Sequence, residues 1–493
     1  MGCTAIHIEA LRACVTSIKI MEKIIGREIE KDILKKILES SQPEFAAVYG
    51  RRRVGKTYLI KQFFDNQFAF YMTGTAHVNM AQQLNNFHSA YNQYSQKTLK
   101  KTPKTWFEAF ENLRKLLNDS TLTKKIVFID ELPWLDTPRA NFISALEYFW
   151  NSYGSSQDNL KLIVCGSAAS WMINKLINNR GGLHNRITKR IFLKPFTLKE
   201  TELFLQSKQI YLERYQVLQL YSVMGGIPFY LNEVEMGLSS FQNIDKICFS
   251  ELGLLRMEYQ ELFYSLFQEA PNHVAIIEAL SKKAKGLTRD EIIKTSKTAN
   301  GGTITKVLEE LEVSGFIKKY VPFDKKIKSS LYQLTDPYSL FYHKFIKDSK
   351  AIGENTWINL MDSSKYRAWS GYAFEYVCMS HIENIKKALS IQGVYSEISS
   401  WVSQNSEKGT QIDLLIDRKD NVITVCEMKF SNDEYEITKS YSNDLRNKLN
   451  LFKSESKTRK TLFLAMITTF GIKTNQYSLG LVQNSITMNA LFE

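Results

Sequence analysis

Two clusters of residues in this chain have the types and spacing for phosphate chemistry. The first is Gly50-Arg51-Arg52-Arg53-Val54-Gly55-Lys56-Thr57. An apolar run, Phe45 to Tyr49, reads as a buried strand before it, and a helical pattern runs from Thr57 to Phe64 after it. A phosphate-cradling glycine loop requires that context. Gly50 and Gly55 let the backbone curl, so that the N–H groups of Arg51, Arg52, Arg53 and Val54 turn inward toward a phosphate chain. The helix beginning near Lys56 adds its positive dipole end. Lys56 is expected to reach the β- and γ-phosphates of a nucleotide, and Thr57 to ligate Mg²⁺. The second cluster is Asp413, Glu427 and Lys429, with Glu375 upstream. Gln411–Asp417 reads as a strand with an Asp inside it, and a polar turn leads into a second strand, Val422–Lys429. There Glu427 and Lys429 alternate with Cys426 and Met428, which puts the two charges on one face. Asp413 and Glu427 on adjacent strands repel unless a cation sits between them, so they are expected to share a Mg²⁺ ion. Lys429 would orient an attacking water, and Glu375 would add a further carboxylate; the chemistry is phosphodiester hydrolysis.

The first cluster needs a sheet to present it. Residues 24–38 form an amphipathic helix leading into the loop, so Arg27 or its neighbours are expected near the adenine or its sugar. Phe68–Met72 reads as a second strand, with helices at about 78–95 and 105–118. Lys125–Glu131 is a third strand that delivers two carboxylates at its carboxyl end. Asp130 would hold the metal or its waters, and Glu131 would polarise the attacking water. After a helix at about 140–153, a fourth strand, Leu160–Cys165, closes with Gly166-Ser167, and Ser167 is placed to sense the γ-phosphate or the water. Residues 180–196 hold Arg180, Arg186 and Arg190 beside a fifth strand. Arg186 is the candidate to offset charge that develops during phosphoryl transfer, from within its own subunit or from a neighbour in a homo-oligomer. Thr197–Phe249 is a helical lid in which Gly225-Gly226-Ile227-Pro228 marks a tight junction.

Gly26-Arg27-Glu28, the Gly50–Thr57 loop, Phe128-Ile129-Asp130-Glu131, Gly166-Ser167 and Gly225-Gly226-Ile227-Pro228 together resemble the archaeal-type P-loop ATPases, which lie among the AAA-like and signal-transduction ATPases with numerous domains. The resemblance spans roughly 21–260. It implies an α/β fold with a parallel sheet of strand order 5-1-4-3-2 and adenine-nucleotide binding, with ATP and Mg²⁺ as cofactors.

Downstream, Asn272–Ser281 is one helical pattern, and Thr288, with Glu291 three residues on, caps a second. A third helix, Thr303–Ser314, precedes strands at 315–321 and 330–334, with Asp324-Lys325-Lys326-Ile327-Lys328 between them. Three helices and a basic hairpin make a winged-helix layout. In that layout Thr303, Thr305 and Lys306 would face the DNA groove, with Lys325, Lys326 and Lys328 on phosphates, unless the module only packs against neighbouring domains. In the last domain a helix opens at Trp369 and runs to about Ala388, then a strand follows at 394–398; a basic helix at 435–452 and a strand at 461–467 follow Lys429. The order helix, hairpin Asp, Glu-x-Lys resembles the PD-(D/E)xK restriction-endonuclease-like superfamily. It is closer still to the carboxy-terminal domain often fused to archaeal-type ATPases, over about 357–493.

The expected plan is therefore an extension (1–20), an ATPase core (21–196), a lid (197–264), a winged helix (265–350) and a nuclease-like domain (351–493). A chain of 493 residues that is 44% hydrophobic and 12% aromatic is globular rather than disordered. Its net charge of +13 favours polyanionic partners, with DNA the first candidate. The six cysteines are scattered, which suits a reducing cytoplasm. No apolar stretch approaches the roughly 20 residues of a membrane span. Residues 1–20 do not read as a signal peptide, and Met1-Gly2-Cys3 hints at acylation although Ile6 stands where that motif takes Ser or Thr. Met21 is an alternative start. The functional expectation is a cytoplasmic ATPase controlling a DNA-cutting tail, set by family analogy in defence or mobile-element control. The alternative is a nucleotide-dependent switch whose tail binds without cutting.

Overall fold

A computed structural model describes residues 24–179, 181–267, 269–349, 355–361, 363–403 and 410–493. Met1-Gly2-Cys3, Cys14, Met21 and Arg180 lie outside the described residues. The chain divides into two compact units, one ending at Pro195 and the other beginning at Phe196.

The first unit runs α1 (Glu28–Glu39), β1 (Glu44–Tyr49), α2 (Lys56–Phe63), β2 (Phe70–Thr73), α3 (Met80–Tyr94), α4 (Trp106–Asp119), β3 (Lys125–Asp130), α5 (Phe142–Ser152), β4 (Leu160–Gly166) and β5 (Lys189–Phe192). All neighbouring strands are parallel, in the order β2-β3-β4-β1-β5, which is the expected order read from the other edge. β4 is buried at every residue and β1 at all but Tyr49, as continuous apolar runs covered on both faces must be. Phe45, Phe70, Phe87, Trp106, Phe142 and Phe149 fill one side of the sheet. α3 begins at a capping box between Asn79 and Gln82, and α4 at a Thr105 cap. The register sets Val48 beside Cys165 and Ile129 beside Val164, so Gly50, Asp130 and Gly166 emerge at the same carboxyl edge. Parallel α/β sheets bind ligands at that edge.

The second unit opens with five helices: α6 (Leu198–Ser207), α7 (Arg214–Met224), α8 (Pro228–Leu231), α9 (Ser240–Phe249) and α10 (Leu254–Tyr264). Gly226 lies at φ 67°, and a Cβ there would fall 2.1 Å from the Phe196 carbonyl oxygen. Only glycine fits that junction, and Pro228 then starts α8 where no helical N–H is needed. Next come α11 (Ala270–Ser281), β6 (Leu287–Thr288), α12 (Arg289–Ser296), α13 (Gly302–Val313), β7 (Ile317–Tyr320) and β8 (Leu331–Leu334), with an antiparallel sheet in the order β6-β8-β7. The Thr288–Glu291 capping box forms as expected. α14 (Pro337–Phe341) leads on to α15 (Ser364–Ser380) and α16 (Ile382–Ala388). The single helix expected to reach Ala388 is thus broken at His381, whose ring accepts the Leu198 N–H at 3.0 Å.

The last sheet comprises β9 (Ser396–Val402), β10 (Gln411–Arg418), β11 (Val422–Lys429), β12 (Thr461–Thr468) and β13 (Asn484–Thr487), with α17 (Lys439–Ser456) between β11 and β12. Its order is β13-β12-β11-β10-β9; β9 to β11 form an antiparallel meander, and β12 and β13 add in parallel. β6 and β13 have no counterpart in the sequence-based plan, being two and four residues long.

Candidate nucleotide site and carboxy-terminal carboxylate cluster

The strand β1 hands the chain to Gly50 at φ 146°, where a Cβ would lie 2.3 Å from the Leu193 carbonyl oxygen. A side chain is therefore impossible at the point where the loop turns. Arg53 holds the left-handed region at φ 70°, and α2 begins after Gly55. Lys56 is 4% exposed, and its Nζ donates to the carbonyls of Gly50 (3.1 Å) and Arg51 (2.9 Å) and to Ser167 Oγ (3.0 Å). Burial pulls its ammonium below the usual lysine range, against the opposing charges of Glu131 and Asp130.

Thr57 Oγ1 donates to Asp130 Oδ2 at 2.8 Å, so the hydroxyl and carboxylate expected to share Mg²⁺ stand together. Asp130 Oδ1 accepts the Glu131 N–H at 2.9 Å and the Cys165 thiol. Burial and then the Asp130 charge push that thiol well above its ordinary value, so it stays protonated and donates. Burial, with Asp130 behind it, pushes the Tyr71 hydroxyl up to about 12. Ser167 bridges the two halves: its Oγ donates to Glu131 Oε1 at 2.6 Å, and its N–H to Glu131 Oε2 at 3.2 Å. Glu131 itself sits at φ 48°, and a left-handed non-glycine residue is the kind of strain that gathers at functional positions. An oxygen-only pair from a hydroxyl and a carboxylate is a donor set that suits Mg²⁺.

Two arginines, Arg27 and Arg186, are expected near the nucleotide. Arg27 is buried, and its guanidinium donates to the carbonyls of Lys194 (2.7 Å) and Val54 (3.2 Å). It braces the loop through the Val54 carbonyl. Arg186 is exposed just before β5. The Thr188 N–H bonds to the Phe45 carbonyl, and Lys189 pairs with Ala46, at the amino end of β1. The phosphate loop leaves the other end, roughly 16 Å along the strand. Arg186 is too far from the loop of its own chain to serve it.

In the second unit, Glu427 is 6% exposed. Its Oε1 accepts Lys429 Nζ at 3.0 Å and the Tyr441 hydroxyl at 2.9 Å, and its Oε2 accepts Lys448 Nζ at 2.7 Å. Burial pushes the carboxyl up, but Lys448 and Lys429 outweigh it and hold Glu427 below the usual carboxylate range. The expected shared face for Glu427 and Lys429 is present. Asp413 is different. Trp401 pairs with Ile412 and Ser399 with Leu415, so Asp413 and Leu414 together face the single residue Ser400. At this β-bulge the Asp413 side chain accepts a hydrogen bond from Gln411 Nε2. Glu375 on α15 is pushed up to about 8 by burial, then by Asp413 and Glu427, with Lys429 and Lys285 working the other way. The four predicted residues therefore share one electrostatic neighbourhood. Among the described residues no group of three or more His, Cys, Asp or Glu is placed to hold a metal ion. Both Glu427 oxygens are paired with lysines. Lys448, Tyr441 and Gln411 had no assigned role in the sequence reading. Tyr441 and Lys448 lie seven residues apart, two turns of one helix face, which is the signal that pairs them.

Residues 25–234 match the family described as an ATPase domain predominantly from Archaea. An uncharacterized protein of Methanocaldococcus jannaschii is 26% identical over 397 residues, covering 79% of this chain and 83% of its own. Among solved structures, a Walker-type ATPase of Pyrococcus abyssi is similar at 19% identity, over 66% of this chain and 97% of that one, with a TM-score of 0.49. The ORC2 protein of Aeropyrum pernix, in ADPNP–ADP complexes, is similar at 14% identity, over 66% and 94%, with a TM-score of 0.41. Among the described residues no helix is long and apolar enough to cross a membrane.

Proposed function

We propose that this protein is an ATP-hydrolysing enzyme whose carboxy-terminal unit engages DNA. The observation that carries the first half is the 2.8 Å hydrogen bond from Thr57 to Asp130, beside a Lys56 ammonium buried in a loop that only glycine can turn. In this reading the N–H groups of the loop from Gly50 to Gly55 hold the phosphates, with Lys56 against the β- and γ-oxygens. Thr57 and Asp130 would hold Mg²⁺, which supplies charge neutralisation on the phosphates when bound. Glu131 orients the attacking water and takes its proton, and Ser167 keeps the Glu131 carboxylate turned toward Lys56. Arg186 acts, if at all, on the loop of a second copy, because its own lies at the other end of the sheet.

The helix–strand–helix–helix–strand–strand order of 270–334 supports a winged-helix reading, and the meander with a parallel fourth strand and Asp413, Glu427 and Lys429 supports a nuclease-like one. A second reading of this unit, binding without cutting, is favoured by the two lysines that neutralise Glu427. Steady-state ATP turnover of wild type and Glu131→Gln tests the first proposal: turnover in the wild type that is lost in the variant supports it, and equal rates sink it. A supercoiled-plasmid cleavage assay, with Asp413→Ala as control, separates cutting from binding. Nicking lost in Asp413→Ala supports the nuclease reading, and intact plasmid with retained DNA binding supports the second.

A further inference from the structure

We propose that Lys285, at the turn between α11 and β6, supplies a phosphate-binding cation to the carboxy-terminal carboxylate cluster, so that a DNA backbone is gripped jointly by the three-stranded module and the five-stranded sheet. The inference rests on the reading above that this unit engages DNA, and adds which part of it makes the grip.

The hairpin between β7 and β8 is docked rather than free. The Phe323 N–H donates to the Ser400 carbonyl at 2.7 Å, and the Phe323 ring meets Phe452 edge-on at 5.3 Å. Ser400 is the residue opposite the bulge that carries Asp413, so the hairpin is anchored at the cluster's own irregularity. The Lys285 turn is tied to the same hairpin: the Tyr320 hydroxyl donates to the Lys285 carbonyl at 2.6 Å, and Gln333 Nε2 to the Ala284 carbonyl at 2.8 Å. Gly286 follows at φ 84°, with a Cβ position 2.5 Å from the Tyr332 carbonyl oxygen, so the turn has little room to shift. Lys285 is thereby fixed where its charge acts on Glu375, and Asp413 acts on Tyr320.

Charge accounting singles out this lysine. The Asp413 carboxylate repels an incoming phosphodiester unless a cation offsets it. Lys429 and Lys448 are both committed to Glu427. Lys285 is exposed, and its ammonium makes no hydrogen bond or ion pair among the described residues. It is the cation left to meet a phosphate. Lys325, Lys326 and Lys328, expected to do so from the hairpin tip, are exposed as well and can extend the same path.

The test is fluorescence anisotropy of a fluorescein-labelled DNA duplex with the full chain, titrated over a range of KCl. Lys285→Ala is expected to weaken binding several-fold and to reduce the slope of log K against log salt by about 1, as one lost phosphate contact requires. Lys285→Arg restores both, and the melting temperature of each variant stays that of wild type. Unchanged affinity in Lys285→Ala, or weaker binding at an unchanged slope, overturns the inference. If wild type binds and Asp413→Ala or Lys326→Ala alters binding while Lys285→Ala does not, this inference falls and the DNA reading survives. If wild type binds no duplex at all, both fall together.

Discussion

Replacing Glu427 by glutamine keeps the shape of the side chain and removes its charge. The wild-type carboxylate receives Lys448 at 2.7 Å, Lys429 at 3.0 Å and the Tyr441 hydroxyl at 2.9 Å. Breaking a fully buried pair by removing one partner costs about 3–5 kcal/mol. The side chains of Lys448 and Lys429 are 18% and 31% exposed, so water screens part of the loss. The expected destabilisation is about 2–3 kcal/mol. At roughly 2–4 °C per kcal/mol for domains of 150–250 residues, the carboxy-terminal unit should melt roughly 4–12 °C lower near neutral pH. The pH dependence has a definite sign. Because the folded carboxyl is held below its unfolded value, its contribution is present above the unfolded value and is lost as pH falls through the folded one. The gap between wild type and Glu427→Gln is therefore widest near neutrality and closes in acid. Thermal melts followed by circular dichroism across this range check it. Equal midpoints at neutral pH, or a gap that widens in acid, refute the reasoning.

Ser167→Ala removes a hydroxyl that bonds both Lys56 and Glu131; hydrolysis should fall by about 10- to 100-fold, as the loss of a charge-assisted hydrogen bond implies, with ATP affinity retained. Glu131→Gln should bind ATP and turn it over at least about 100-fold more slowly, measured by phosphate release. Gly226→Ala forces a Cβ against the Phe196 carbonyl at positive φ, and should cost at least about 2 kcal/mol in a denaturant titration. His343 Nε2 shares a hydrogen bond of 2.7 Å with the Tyr259 hydroxyl, and the ring is lowered to about 4, chiefly by burial. Stability should therefore be full above the unfolded histidine value of about 6.5 and decline toward pH 4, by up to about 3 kcal/mol, and His343→Gln should flatten that decline in melts at stepped pH.

The first site was legible because its parts are local or sit at strand ends. Gly50 to Thr57 is one contiguous loop, and four apolar residues ending in Asp130 announce a buried strand that ends beside it. What the sequence reading missed needed the sheet. Arg186 lies close in sequence to the strand beside the loop, yet parallel pairing puts it at the far end of β1. Nothing local shows that the Lys194 and Val54 carbonyls converge on Arg27. In the second unit, period-two spacing paired Glu427 with Lys429, but it assumed an unbroken ladder and did not show the bulge at Asp413. Lys448 comes from a helix 21 residues beyond Glu427, a contact no local pattern encodes.

The central claim is that the Gly50–Thr57 loop and Asp130 together grip a magnesium nucleotide. Isothermal titration of the full chain with a non-hydrolysable ATP analogue tests it most directly, in magnesium and in EDTA, beside Lys56→Ala and Thr57→Ala. The account predicts saturable one-site binding by wild type, binding lost in Lys56→Ala, and a magnesium dependence that disappears in Thr57→Ala. Heats indistinguishable from dilution for wild type in magnesium, or equal affinity in wild type and Lys56→Ala, contradict it.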